Sequence, residues 1–142
     1  MFLGEYQHSL DAKGRVILPA RFREQLEGGA VMAKGLDGCV AVYPPTEFQR
    51  LAQTLTSARE RGVRERQAAR TFFAGAEPMA PDRQGRVTIP QTLRDYAHLE
   101  RDVVVAGGFD HIEIWDAQAF RARNAEGMAA MAEGAEAIGD FI

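Results

Sequence analysis

The chain is poor in the residues that usually carry chemistry. It has one cysteine, Cys39, in 142 residues, which excludes an intrachain disulfide and suits a reducing compartment. Cys39 lies in an apolar stretch, where a small buried strand residue is expected. The three histidines, His8, His98 and His111, are dispersed, and none has a second ligand at a familiar metal spacing. No Gly-x-x-x-x-Gly-Lys loop is present to cradle a nucleotide phosphate. No catalytic constellation emerges, so an enzyme is not expected, nor is a cofactor, a metal or a small-molecule substrate. Nothing approaches the run of ~20 apolar residues that spans a membrane. Met1–Glu5 has neither the basic region nor the long apolar run of a secretory leader, and a cytoplasmic location is expected.

What is present is enough apolar material for a core, 46% of residues, well above the disordered range. The net charge of −3 argues weakly against a nucleic-acid partner. It conceals an asymmetry: residues 1–75 carry 11 Lys+Arg against 8 Asp+Glu, and residues 76–142 carry 6 against 12. Binding phosphate needs a local basic patch, not a basic total.

The dominant feature is an internal repeat. Residues 11–23 read DAKGRVILPARFR and residues 82–94 read DRQGRVTIPQTLR, aligned without a gap at an offset of 71. Asp, Gly, Arg, Val, Pro and the final Arg are identical, six positions in 13. The likeness continues through Gly35-Leu36-Asp37 against Gly108-Phe109-Asp110. After a one-residue indel, Val40, Val42, Tyr43 and Phe48 match Ile112, Ile114, Trp115 and Phe120. The chain therefore reads as a duplication of a small unit.

Each unit has a legible local structure. Asp-x-x-Gly is a turn: the Asp side chain bonds the backbone ahead of it and Gly supplies a positive φ. With strands on both sides, the expected form is a hairpin closed by a bulge. Asp11 and Gly14, and Asp82 and Gly85, are the turn-supporting residues. In the strand that follows, alternation puts Val16 and Leu18, with Val87 and Ile89, toward the core. Arg15 and Arg86 then face solvent. Pro19 and Pro90 suit the first turn of a helix, whose short apolar faces are Phe22/Leu26 and Leu93/Ala97. Two more strands follow in each copy: Val31–Ala33 and Cys39–Tyr43 in the first, Val103–Ala106 and Ile112–Trp115 in the second. The unit reads β-turn-β-α-β-turn-β. A unit this small buries too little to be secure alone, so the two should pack about a pseudo-two-fold axis, with Phe109 and Trp115 in or near the core.

Pro44-Pro45 ends the first copy, and Thr46-x-x-Gln49 reads as a capping box that opens a helix. Phe48, Leu51, Ala52 and Leu55 give that helix an apolar stripe. The arginines from Arg59 to Arg70, interrupted by Gly62, read as a solvated helix face. Asp116 should cap the matching helix of copy two. Beyond Phe120, Gly127, Gly134 and Gly139 weaken a helix. A frayed helix is expected, or an arm that docks on a neighbour through Met128, Met131, Ile138 and Phe141.

The remaining chemistry is a pair of arginines at equivalent turn-adjacent positions. Arginine makes bidentate bonds to phosphates and to guanine edges in the major groove, and a two-stranded ribbon can enter that groove. A single Asp-x-x-Gly-Arg equally suits a turn with a surface ion pair, but the duplication favours two symmetric reading heads. A ring-forming interaction protein whose main partner is another protein is the alternative, motivated by the acidic total and the apolar tail. A toxin-binding antitoxin-like module is a third reading, disfavoured by the long second copy.

At these residues the sequence resembles the MraZ family. The likeness rests on Asp-x-x-Gly-Arg-Val-x-x-Pro at 11–19 and 82–90, on the opening Gly4–Asp11, and on Phe72-Phe73-Ala74-Gly75-Ala76. It covers roughly residues 1–120. The resemblance implies a mainly β fold with short helices (α+β), built of two tandem swapped-hairpin units of the AbrB-like class. They would be a first SpoVT-AbrB-like domain at 1–50, linker helices at 51–75, a second domain at 76–121 and a tail at 122–142. It implies a transcriptional regulator that binds double-stranded DNA at short G-rich direct repeats in the promoter of the division and cell-wall gene cluster. Such a protein is nucleoid-associated and assembles as a ring of eight or more copies. The DNA-contacting arginine maps to Arg15, with Arg86 as its copy-two equivalent and Lys13 and Arg83 as basic neighbours. Gln84 stands where copy one has Lys13, so the two copies need not contribute equally.

Overall fold

A computed structural model describes residues 1–139. The first copy contains β1 (Glu5–Ser9), β2 (Arg15–Ile17), α1 (Ala20–Glu24), β3 (Ala30–Lys34) and β4 (Val40–Tyr43). Helices α2 (Pro45–Ala58) and α3 (Val63–Ala74) follow. The second copy contains β5 (Glu77–Met79), β6 (Arg86–Thr88), α4 (Gln91–Tyr96), β7 (Asp102–Gly107) and β8 (Ile112–Asp116). Helices α5 (Ala117–Ala132) and α6 (Glu136–Gly139) complete the described chain.

The order of elements within each copy is the expected one, and the strands are exchanged between copies as the resemblance implies. β1 does not pair with β2 beyond the turn. It pairs antiparallel with β7 of the other copy, Tyr6 opposite Val105, and β5 in turn pairs with β3. The six-stranded antiparallel sheet runs β1-β7-β8-β4-β3-β5. β2 and β6 leave that sheet and pair with each other, Val16 opposite Val87. This is the swapped arrangement, and it takes the place of the hairpin closed within one copy that the turn alone suggests. The reason is that a three-residue strand buried on one face needs a partner whose apolar residue faces the same side, and the other copy supplies the equivalent strand.

Val16, Val87, Leu18 and Ile89 are all buried, as the alternation requires. They meet Phe22 and Leu93 from the short helices, Leu26 and Ala97 just past those helices, and the inward residues of the sheet in one cluster. Phe22 takes the rings of Phe2 and Tyr6 edge-on at 5.3 and 5.4 Å. Trp115 is buried, but Phe109 is 64% exposed. Phe109 occupies the β7–β8 turn with φ 72°, and that turn geometry carries its side chain away from the core. Cys39 is buried and lies one residue ahead of β4.

Two helix starts separate. Asp116 caps α5, its Oδ2 accepting the Ala119 amide at 3.0 Å. Thr46 makes no such bond, because α2 begins earlier, with Pro44 as its cap residue and Pro45 in the first turn. The Arg59–Arg70 arginines are exposed, as expected of a solvated face. The chain past Phe120 is more ordered than expected: α5 runs unbroken through Gly127 to Ala132, and Gly134, at φ 68°, then ends it. Phe141 lies outside the described residues.

Candidate nucleic-acid interface

The two Asp-x-x-Gly-Arg turns repeat one another bond for bond. Asp11 Oδ1 accepts the amides of Lys13 and Arg15, each at 2.9 Å, and Asp11 Oδ2 accepts Arg15 Nε at 2.6 Å. Asp82 Oδ1 accepts the amides of Gln84 and Arg86, each at 2.9 Å, and Oδ2 accepts Arg86 Nε at 2.9 Å. Gly14 and Gly85, at φ 74° and 78°, return their amides to the carbonyls of Asp11 and Asp82. Only a residue at ease in the left-handed region closes such a turn without strain. The Arg15 amide, ahead of the Arg15 guanidinium, holds the Asp11 carboxyl below the usual carboxylate range. The Arg86 amide does the same for Asp82. Both carboxylates therefore stay ionised and keep their arginines in place.

The ribbon of β2 and β6 brings the two arginines together. Its register sets Arg15 opposite Thr88 and Ile17 opposite Arg86. With Val16 and Val87 buried beneath, these four side chains share the outward face. Arg15 and Arg86 stand in diagonal relation, which in an antiparallel pair places them about 7–8 Å apart. Their side chains are 26% and 28% exposed, folded back onto the aspartates rather than loose in solvent. The terminal nitrogens of both have no protein partner among the described residues, so each presents a fixed two-pronged donor edge. Lys13 and Arg83 are exposed on the two turns. All four predicted basic residues thus border one ribbon.

Two packing positions beside these turns were not singled out by the sequence reading. Arg94 packs its guanidinium over Gly14 of the other copy, so that a Cβ there would lie 2.5 Å from Arg94 Cζ. Arg23 covers Gly85 in the same way. Arg94 is anchored by donating Nε to the Ile89 carbonyl at 2.9 Å. The available signal was the shared final arginine of the repeat; what it touches depends on the exchange between copies.

Elsewhere the chemistry is sparse. Burial pushes the Cys39 thiol up to about 12, which removes it as a nucleophile. No group of three or more His, Cys, Asp or Glu suited to a metal occurs among the described residues, and no helix among them is long and apolar enough to cross a membrane.

Comparison with known proteins accounts for the doubled geometry. A family described as "MraZ protein, putative antitoxin-like" matches this chain twice, over residues 1–71 and 72–141. A Salinispora arenicola protein named Transcriptional regulator MraZ is 50% identical over 126 residues, 89% of each chain. Proteins of the same name from Thermobifida fusca and Heliobacterium modesticaldum are 48% and 43% identical, covering 97% and 99% of this chain and 96% and 99% of their own.

Proposed function

The chain belongs to the MraZ family, and from that premise we propose that it is a sequence-specific, double-stranded-DNA-binding transcriptional regulator. It acts at the nucleoid on short G-rich direct repeats in the promoter of the division and cell-wall gene cluster. The observation that carries this reading is the pair of Asp-anchored arginines on the outward face of the β2–β6 ribbon. A two-stranded ribbon fits the major groove, and arginine pairs with guanine O6 and N7 through two parallel bonds. Anchoring Nε on a carboxylate orients the guanidinium before DNA arrives, which lowers the ordering cost of binding. Lys13 and Arg83 add attraction to phosphates that is indifferent to sequence. Arg94 and Arg23 brace the turns from behind.

One protomer offers few cations, so binding requires several protomers on spaced repeats. A homo-oligomeric ring supplies them through effective concentration. The test is a gel-shift titration on a G-rich direct-repeat promoter fragment, with scrambled competitor at several salt concentrations. Arg15→Ala should weaken specific binding by about 1–3 kcal/mol per contact, and Arg15→Ala/Arg86→Ala should abolish it. Unchanged affinity in the double variant would remove the ribbon from the reading. Asp11→Ala separates two roles: it should weaken binding if Asp11 positions Arg15, and tighten it if the carboxylate only repels phosphate.

A further inference from the structure

Helix α5 is held to the fold only at its start. Ala117 is buried and Phe120 and Asn124 are half-buried, whereas every residue from Ala125 to Ala132 is exposed. Met128 and Met131 are 61% and 54% exposed. Met131 follows Ala117 and Asn124 at successive seven-residue steps, so it continues the face that meets the sheet at the start of the helix. That face simply runs past the edge of its own molecule. An isolated helical arm of this length is marginal in water. The duplication shows what is missing. In copy one the equivalent helix, α2, has its Phe48 ring set against Phe72 and Phe73 of α3, at 5.9 and 6.5 Å. In copy two Phe120 has the Trp115 ring at 6.3 Å, and no helix covers α5 beyond it among the described residues.

The same molecule carries an open apolar groove of about 640 Å³ where α2 and α3 approach the β3–β4 turn. Leu36, Tyr43, Leu51, Leu55, Phe72 and Tyr96 line it, and Lys34, Arg64 and Glu65 stand among them. Leu36 is 87% exposed. The charges are complementary. Residues 45–75 carry six Arg against three Glu, and residues 122–142 carry one Arg against four Asp+Glu.

We infer that the end of α5 from one copy of this chain seats Met128 and Met131 in the α2–α3 groove of a second copy. Methionine suits such a slot because its unbranched thioether adapts to irregular walls. The two surfaces lie on different parts of the molecule, so the contact is heterologous. Repetition of a heterologous contact closes into a ring when its rotation permits. The inference deepens the ring-assembly part of the proposed function and names its contact.

Light scattering on the full-length protein tests it with two variants, both altering exposed side chains so that the monomer fold is spared. The tail variant is Met128→Asp/Met131→Asp. The groove variant is Leu36→Asp/Arg64→Glu. Wild type is expected to assemble, and each variant alone to fall to the monomer mass of 15.6 kDa. Mixed in equal amounts, the variants should form a dimer, since one keeps an intact groove and the other an intact tail. Assembly of both variants at the wild-type mass overturns the contact and leaves the ring reading standing. Two monomeric variants that form no dimer on mixing overturn the heterologous pairing. A wild type that is monomeric at every concentration overturns the ring reading and this contact together.

Discussion

Gly14 and Gly85 are constrained twice, by a positive φ and by an arginine from the other copy seated over the missing Cβ. Gly38 has φ 84° but open space around it. Alanine at any of the three carries the left-handed backbone cost of about 1–2 kcal/mol. At Gly85 it must also displace Arg23, so Gly85→Ala should lower the melting temperature more than Gly38→Ala; equal shifts in calorimetry would contradict the packing described. Titration is a second residue-scale effect. His111 lies between Asp110 Oδ1 at 2.7 Å and Glu113 Oε2 at 2.9 Å, and stacks on Tyr43. The Glu113 hydrogen bond, against the opposing effect of burial, raises the His111 pKa above its ordinary 6.5. The His111 hydrogen bond lowers that of Glu113 below 4.5. Stability from a raised histidine is complete below 6.5 and is lost as pH rises through the folded-state value; stability from the lowered Glu113 is present above 4.5 and is lost as pH falls through its folded-state value. The stability difference between wild type and His111→Gln should therefore be largest between 4.5 and 6.5 and shrink on the alkaline side. Urea unfolding at several pH values checks this, and a pH-independent difference would sink it.

At the level of elements, the two long helices start by different means. α5 uses the Asp116 carboxylate on the Ala119 amide, so Asp116→Ala should destabilise its first turn by about 0.5–2 kcal/mol. Thr46→Ala should be nearly neutral, since Thr46 makes no capping bond. Circular dichroism and thermal melts of the two variants give the comparison, and equal losses would refute the assignment. The Thr46-x-x-Gln49 pattern misled because Pro45 presets a helical φ one residue earlier, moving the cap back to Pro44. The α5 glycines misled in the other direction. Gly127 lowers helix propensity by roughly 1 kcal/mol, but Ala-rich neighbours carry the helix through it.

At the scale of the molecule, neither copy completes its own sheet. β1 needs β7, β5 needs β3, and β2 and β6 need each other. A fragment of residues 1–74 should therefore be unfolded when dilute, or fold only as a dimer that recreates the exchange between copies. Sedimentation and urea unfolding distinguish these from the outcome that would refute it, a monomeric fragment with a cooperative transition.

By itself the sequence determined much of what depends on neighbours along the chain. The Asp–Gly turns, the buried Val16, Leu18, Val87 and Ile89, the Asp116 cap and the equivalence of Arg15 with Arg86 follow from local stereochemistry, two-residue alternation and the 13-residue repeat. Only the tertiary structure decided which strand meets which. Two equivalent strands offer the same apolar face, so local pattern cannot distinguish pairing within a copy from exchange between copies, and the choice falls to how the whole core closes. That choice set Arg15 and Arg86 on one ribbon, laid Arg94 and Arg23 over the opposite turns, and left α5 reaching beyond its own fold.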